Sequence, residues 1–143
     1  MNTFVIDARV AAKWILPSSQ EPLTLEALAL LSDWTAGKIR IIVPDFLWIE
    51  LANILWKAIR RGRTTQSAAE AGPNSLRRRK IPAFRSTHLL DSAFNKAVIY
   101  DRTVYDRLYI ALAVESKGVL VTADQTFANA LAGSFSVKWL GAV

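Results

Sequence analysis

Apolar positions along this chain alternate between short dense runs and longer stretches with helical spacing. The run "TFVID" (3–7) is β-branched, aromatic and brief, as a buried strand should be, and it stops on Asp7. "VAAKWIL" (10–16) predicts a short helix halted by "PSSQEP". In "LTLEALALLSDWTAGK" (23–38), Leu28, Leu31 and Trp34 fall near one helical face and Gly37 provides the stop. "IRIIVP" (39–44) is a second strand. "DFLWIELANILWKAIRRGR" (45–63) reads as a helix from an N-cap at Asp45 to basic residues and Gly62. "TTQSAAEAGPNSLRRRKIPAF" (64–84) predicts a helical insertion broken by a turn at Gly72-Pro73, with no strand of its own. "THLLDSAFNKAVIYDR" (87–102) is a helix begun by Thr87, and "TVYDRLYIALAVESKG" (103–118) one capped by Thr103 and ended by Gly118. "VLVTAD" (119–124), "QTFANALAG" (125–133) and "VKWLG" (137–141) close the chain as strand, helix and strand.

This alternation predicts an α/β domain with a mostly parallel sheet covered by helices, spanning residues 1–143 as a single unit. The length suffices for a hydrophobic core without covalent staples. There is no cysteine, so a disulfide scaffold and a thiolate metal site are excluded, and the usage fits a cytoplasmic location. No basic segment precedes an uncharged apolar stretch at the N-terminus, and no apolar run is long enough to span a membrane. The formal charge is +6 and the pI about 10.0, which favours a polyanionic partner such as nucleic acid or an acidic protein segment.

Four carboxylates stand out against this frame. In a parallel sheet ligands bind beyond the carboxyl ends of the strands, and Asp7 and Asp124 each follow a strand directly. Glu50 has Phe46, Leu47 and Ile54 as helical neighbours, an apolar stripe where a solvated glutamate is out of place. Asp106 shares a face with Tyr109 and Ile110 and lies in the first turn of its helix, where the dipole favours an anion. Each also has a structural explanation: a turn for Asp7, a buried ion pair for Glu50, a helix N-terminus for Asp106, an N-cap for Asp124. Like charges about 4 Å apart repel by roughly 4 kcal/mol at an effective dielectric near 20, so a convergent cluster requires a counter-ion. With oxygen donors alone, that ion is Mg²⁺ or Mn²⁺, which suits phosphoryl chemistry.

The stretches "FVIDARVAAKW", "VPDFLWIELANILWKAIRRG", "TVYDRLYIALAVESKGVLVTAD" and "FANAL…VKWLG" together resemble PIN domains, in particular the VapC-like toxins of type II toxin–antitoxin systems. The order and spacing of these stretches, more than any one motif, carry the resemblance. It implies a three-layer α/β/α sandwich with a central, mostly parallel sheet. It also implies an acidic site of Asp7, Glu50, Asp106 and Asp124, with Asp7, Asp106 and Asp124 holding Mg²⁺ or Mn²⁺. The implied activity is endoribonucleolytic cleavage of RNA phosphodiester bonds by a homodimer silenced by a VapB-like antitoxin.

One residue departs from the pattern. Family members usually carry a small polar residue two positions after the first aspartate, and here Arg9 stands there. A guanidinium cannot ligate a cation and competes for the same carboxylates. Arg9 therefore either folds across the acidic pocket onto Asp7 and Asp124 or turns outward to grip substrate phosphate, and the first case would leave a catalytically impaired RNA- or antitoxin-binding module. Arg9 also excludes a haloacid-dehalogenase-like phosphatase, whose chemistry needs a second aspartate at that position. The basic run at Arg60, Arg61 and Arg63 is a candidate RNA or partner contact.

Overall fold

The protein is described by a computed structural model covering residues 1–143. In chain order the elements are β1 (Asn2–Ile6), α1 (Ala8–Lys13), α2 (Thr24–Thr35), β2 (Ile39–Pro44), α3 (Phe46–Arg60), α4 (Gln66–Arg78), β3 (Ala83–Phe84), α5 (Leu90–Tyr100), α6 (Val104–Ser116), β4 (Val119–Thr122), α7 (Gln125–Leu131) and β5 (Val137–Trp139). The five strands form one sheet in the order β3-β2-β1-β4-β5, and every pairing is parallel. Helices cover the sheet as a three-layer α/β sandwich, with α1 packed on α2 and α3, and α5 packed on α6, which crosses β1, β2 and β4. Val5, Ile6, Ile41, Val43, Leu120 and Val121 are buried, giving the continuous apolar runs expected of strands covered on both faces.

The chain moves outward from β1 through β2 to β3, then crosses back to the other side of β1 for β4 and β5. That reversal places a topological switch point between β1 and β4, where the loops diverge and a crevice opens at the carboxyl ends of the strands. Asp7 and Asp124 flank it.

Several local expectations are corrected. Residues 83–84 form a short fifth strand, paired to Val43 and Pro44 of β2. Pattern cannot reveal a strand of two exposed residues, because nothing alternates. Gly72-Pro73 is no turn, since α4 runs through it. A Cβ on Gly72 would run into the Ile15 side chain in the turn after α1, so the glycine lets α4 approach that turn closely. The inward face of α2 is centred on Ala27 and Leu30, while Leu28 is exposed. Apolar residues are spread over several faces of the helix, and the Trp14 indole N–H, donating to the Ala27 carbonyl at 2.8 Å, helps select the one that packs inward.

Helix ends differ too. Asp45 does not cap α3 with its side chain. Ser86 does so from 40 positions away, its Oγ accepting from Phe46 N–H at 2.9 Å, while Asp45 Oδ1 accepts from Ser86 N–H at 2.9 Å. A short 3₁₀ turn at Ser86–Leu89, and no Thr87 cap, leads into α5. At the end of α6 it is Lys117, at φ 57°, that takes the left-handed conformation. Gly118 is needed because a Cβ there would sit 2.8 Å from the Thr3 carbonyl oxygen.

Candidate active site

Sheet register builds the first half of the site. Ile6 pairs with Val121, so the residues that follow, Asp7 and Thr122, emerge side by side. The Thr122 hydroxyl donates to Asp7 Oδ2 at 2.7 Å and accepts from Asp124 N–H at 3.1 Å, tying the two aspartate segments together. Each aspartate also caps the helix it precedes: Val10 N–H donates to Asp7 Oδ1 and Phe127 N–H to Asp124 Oδ1, both at 3.0 Å. The cap expected at Asp124 is thus real, while Asp7 caps a helix where a turn was expected. The cap occupies one oxygen of each carboxylate; the second oxygen of Asp7 is met by Thr122 and that of Asp124 lies on the cleft side.

Helices α3 and α6 supply the second half. Thr103 caps α6 through Asp106 N–H, which places Asp106 in the first turn. One turn on, Tyr109 is buried and its hydroxyl donates to Glu50 Oε1 of α3 at 2.6 Å. Asp7, Glu50, Asp106 and Asp124 all line one cleft of about 250 Å³, together with Thr122 and Tyr109. Three cations share its walls: Arg9 from α1, Lys57 from α3 and Arg102 from the α5–α6 connection.

Burial raises the Asp7 carboxyl above the usual carboxylate range, against the Thr122 and Val10 hydrogen bonds and the Arg9 charge, which favour ionisation. Glu50 is raised by burial and by the charges of Asp7 and Asp106, with the Tyr109 hydrogen bond opposing. Tyr109 is driven well above its ordinary value by burial and by the adjacent Glu50 carboxylate, so it stays a hydrogen-bond donor. Ionised carboxylates here are costly as they stand, and a cation placed among them would relieve that cost.

The donor set is all oxygen, as Mg²⁺ or Mn²⁺ requires. No three acidic or imidazole side chains are gathered closely enough to cage an ion by themselves. The arrangement fits a hard cation that uses one or two carboxylates and fills its remaining positions with water and substrate phosphate, which is the habit of Mg²⁺.

Of the basic residues, Arg9 reaches the cleft and makes an ion pair with Asp124 alone, Nη1 to Oδ2 at 3.6 Å, with two-thirds of its side chain exposed. It makes no ion pair with Asp7. Arg60, Arg61 and Arg63 do not line the cleft. The Arg60 guanidinium lies 5.0 Å from the Trp56 ring centre, and Arg63 is engaged with Glu21 and Gln20. Glu21 also pairs with buried Lys13 at 3.3 Å. Arg107, next to Asp106, turns away from the cleft and is completely buried. Sequence reasoning missed Thr122, Tyr109, Lys57 and Arg102. The spacing of Tyr109 from Asp106 and of Lys57 from Glu50 (i+3 and i+7 on their helices) was the available signal for two of them.

A family model for the PIN domain matches residues 4–131. The chain is 28% identical over 127 residues to Ribonuclease VapC3 of Pyrobaculum aerophilum, an alignment covering 87% of this chain and 92% of that protein. Its fold is similar to the crystal structure of PAE2754 from Pyrobaculum aerophilum, with a TM-score of 0.70 and 23% identity, covering 99% of this chain and 91% of that one. With nearly its whole length inside that match, and its four carboxylates meeting at the switch point of a parallel sheet, the chain belongs to the PIN domain family.

Proposed function

We propose that this protein is a Mg²⁺- or Mn²⁺-dependent endoribonuclease of the VapC toxin type, hydrolysing RNA phosphodiester bonds in the cleft between β1 and β4. The observation that carries the reading is the meeting of Asp7, Glu50, Asp106 and Asp124 in one cleft whose rim is basic. Asp7, Asp106 and Asp124 would hold the divalent ion, one or two of them directly and the remainder through water. When bound, the ion stabilises the charge that develops on the phosphate oxygens and on the leaving oxygen. Glu50, with a raised proton affinity and one oxygen fixed by Tyr109, orients the attacking water and accepts its proton. Thr122 holds Asp7 in place, and Lys57 and Arg102 receive the phosphates on either side of the scissile bond. Arg60 and Arg61 extend this basic surface along α3 beyond the cleft. The similarity to a VapC ribonuclease supports a VapB-like antitoxin as partner, and the reading takes in a homodimeric assembly acting in the cytoplasm. No helix is long and apolar enough to cross a membrane.

Cleavage of a labelled RNA by the purified protein in Mg²⁺ or Mn²⁺, compared with Asp7→Ala, tests the assignment. The variant should lose roughly a hundred- to a thousand-fold in rate. Equal cleavage by both proteins removes Asp7 from the mechanism.

The Arg9–Asp124 ion pair favours a second reading, a catalytically silent module that binds RNA or antitoxin without cutting. Retained RNA binding with no cleavage at any divalent-ion concentration would select it.

A further inference from the structure

The two aspartates after strands β1 and β4 are not equally committed. Asp7 receives a donor on each oxygen, Val10 N–H on Oδ1 and the Thr122 hydroxyl on Oδ2. Asp124 gives Oδ1 to the cap of α7, and the only group that meets Oδ2 is the Arg9 guanidinium. The oxygen of Asp124 best placed to serve a cation is therefore the one that Arg9 already holds.

That hold is weak. The pair spans 3.6 Å, too long for a hydrogen bond, and both side chains are substantially exposed. Exposed pairs of this kind are readily opened by water and salt. A phosphodiester offers a guanidinium a shorter, bidentate and charge-assisted contact, so phosphate entering the cleft competes well for Arg9. A divalent ion offers Arg9 nothing in exchange: to reach Oδ2 it must displace the guanidinium into water, and it repels the guanidinium if that stays nearby. Lys57 and Arg102 line the same cleft but pair with no carboxylate.

We propose that Arg9 is a displaceable counter-ion on Asp124 that couples divalent-cation binding to the arrival of a phosphodiester backbone. Without polynucleotide, Arg9 shields Oδ2 and the cleft binds cations poorly. Phosphate draws Arg9 away, exposes Oδ2 and adds oxygen ligands of its own, so the cation and the polyanion raise each other's affinity by the same factor. The protein then assembles its ion site only when substrate is in place. This inference rests on the nuclease reading above.

Calorimetric titration of Mn²⁺ tests it, on the parent, Arg9→Met and Lys57→Met. Each is measured alone and with a short single-stranded 2′-deoxy oligonucleotide, shown intact by gel afterwards, with the oligonucleotide's own Mn²⁺ binding subtracted. All three proteins should fold, since both substituted side chains are exposed. Alone, Arg9→Met should bind Mn²⁺ about three- to tenfold more tightly than the parent, and more tightly than Lys57→Met. The oligonucleotide should tighten Mn²⁺ binding markedly in the parent and in Lys57→Met, and much less in Arg9→Met. Equal oligonucleotide-free affinities for the parent and Arg9→Met, or an oligonucleotide-free affinity of Lys57→Met raised as far as that of Arg9→Met, overturn the role of the Arg9 contact and leave the nuclease reading standing. If no protein binds Mn²⁺ with or without oligonucleotide, both that reading and the coupling fail.

Discussion

Two regions of this molecule take charge out of water, and they do so in opposite ways. In the cleft, Asp7 and Glu50 are drawn into low-dielectric surroundings, yet each has a donor in place: Val10 N–H and Thr122 for one, Tyr109 for the other. At the corner between α5 and α6, Arg107 is 0% exposed, and none of Nε, Nη1 or Nη2 has a hydrogen-bond partner. Its guanidinium carbon lies 5.6 Å from the centre of the Tyr100 ring, a cation–π contact and its one evident compensation. Desolvation lowers its pKa, with the neighbouring Asp106 charge opposing. A buried charge thus takes two forms here, one surrounded by directed partners that define a reactive site and one merely enclosed. Only the first has the geometry of a functional centre.

The contrast is broken most sharply by Arg107→Met, which fills a similar volume without the charge. Replacing a buried ion by an apolar side chain is often stabilising by about 1–4 kcal/mol, and a gain of that order is expected in denaturant unfolding. A loss of stability would mean that the guanidinium has acceptors and that the two regions are alike. Asp7→Asn makes the parallel change in the cleft. Its carboxamide oxygen still accepts from Val10 N–H and its NH₂ meets the Thr122 oxygen, so in the presence of a chelator it should stabilise the fold by roughly 1 kcal/mol while abolishing cleavage, a trade of stability against function. Destabilisation would show that Asp7 is placed for the fold alone.

A third, smaller effect comes from pH. A carboxyl group whose folded pKa lies above its unfolded value contributes stability that is fully present below the unfolded pKa and lost as pH rises through the folded one. Asp7 and Glu50 are both of this kind, so the chelated protein should melt at higher temperature as pH falls from neutral toward the ordinary carboxylate range. Asp7→Asn should flatten that dependence, whereas Arg107→Met should leave it unchanged. A profile in the parent that falls over the same interval contradicts the assignment. The smallest change is expected from Tyr109→Phe, which removes one hydrogen bond at about 0.5–1.5 kcal/mol. With that donor gone Glu50 holds its proton more tightly, and the acid limb of the pH–rate profile should move to higher pH. No movement would separate Glu50 from the proton transfer.

The α/β alternation was legible because long apolar periods and strand-like runs are local properties. So were the caps at Thr103 and Asp124 and the stops at Gly37 and Gly62, both of which adopt positive φ. All four carboxylates that line the cleft were conspicuous from one-dimensional cues, since a charged residue at a strand end or in an apolar stripe stands out in sequence. What surrounds them was not. Thr122 joins Asp7 because of parallel register across 115 positions, and Tyr109 meets Glu50 across 59. Ser86 caps α3 from 40 residues downstream in place of Asp45. Spacing says nothing about such pairs, because they depend on which strands are neighbours and how helices cross them.

The two arginines mark the same boundary. From sequence, Arg9 has two possible destinations, and nothing in the pattern around Arg107 marks it as buried. Neighbouring residues alone dictate that charge gathers at the carboxyl ends of β1 and β4, because strand length and helix phase are local properties. Tertiary structure decided that Arg9 meets Asp124 and not Asp7, and that Arg107 is enclosed without an acceptor. Those outcomes depend on the distances between elements that only packing sets.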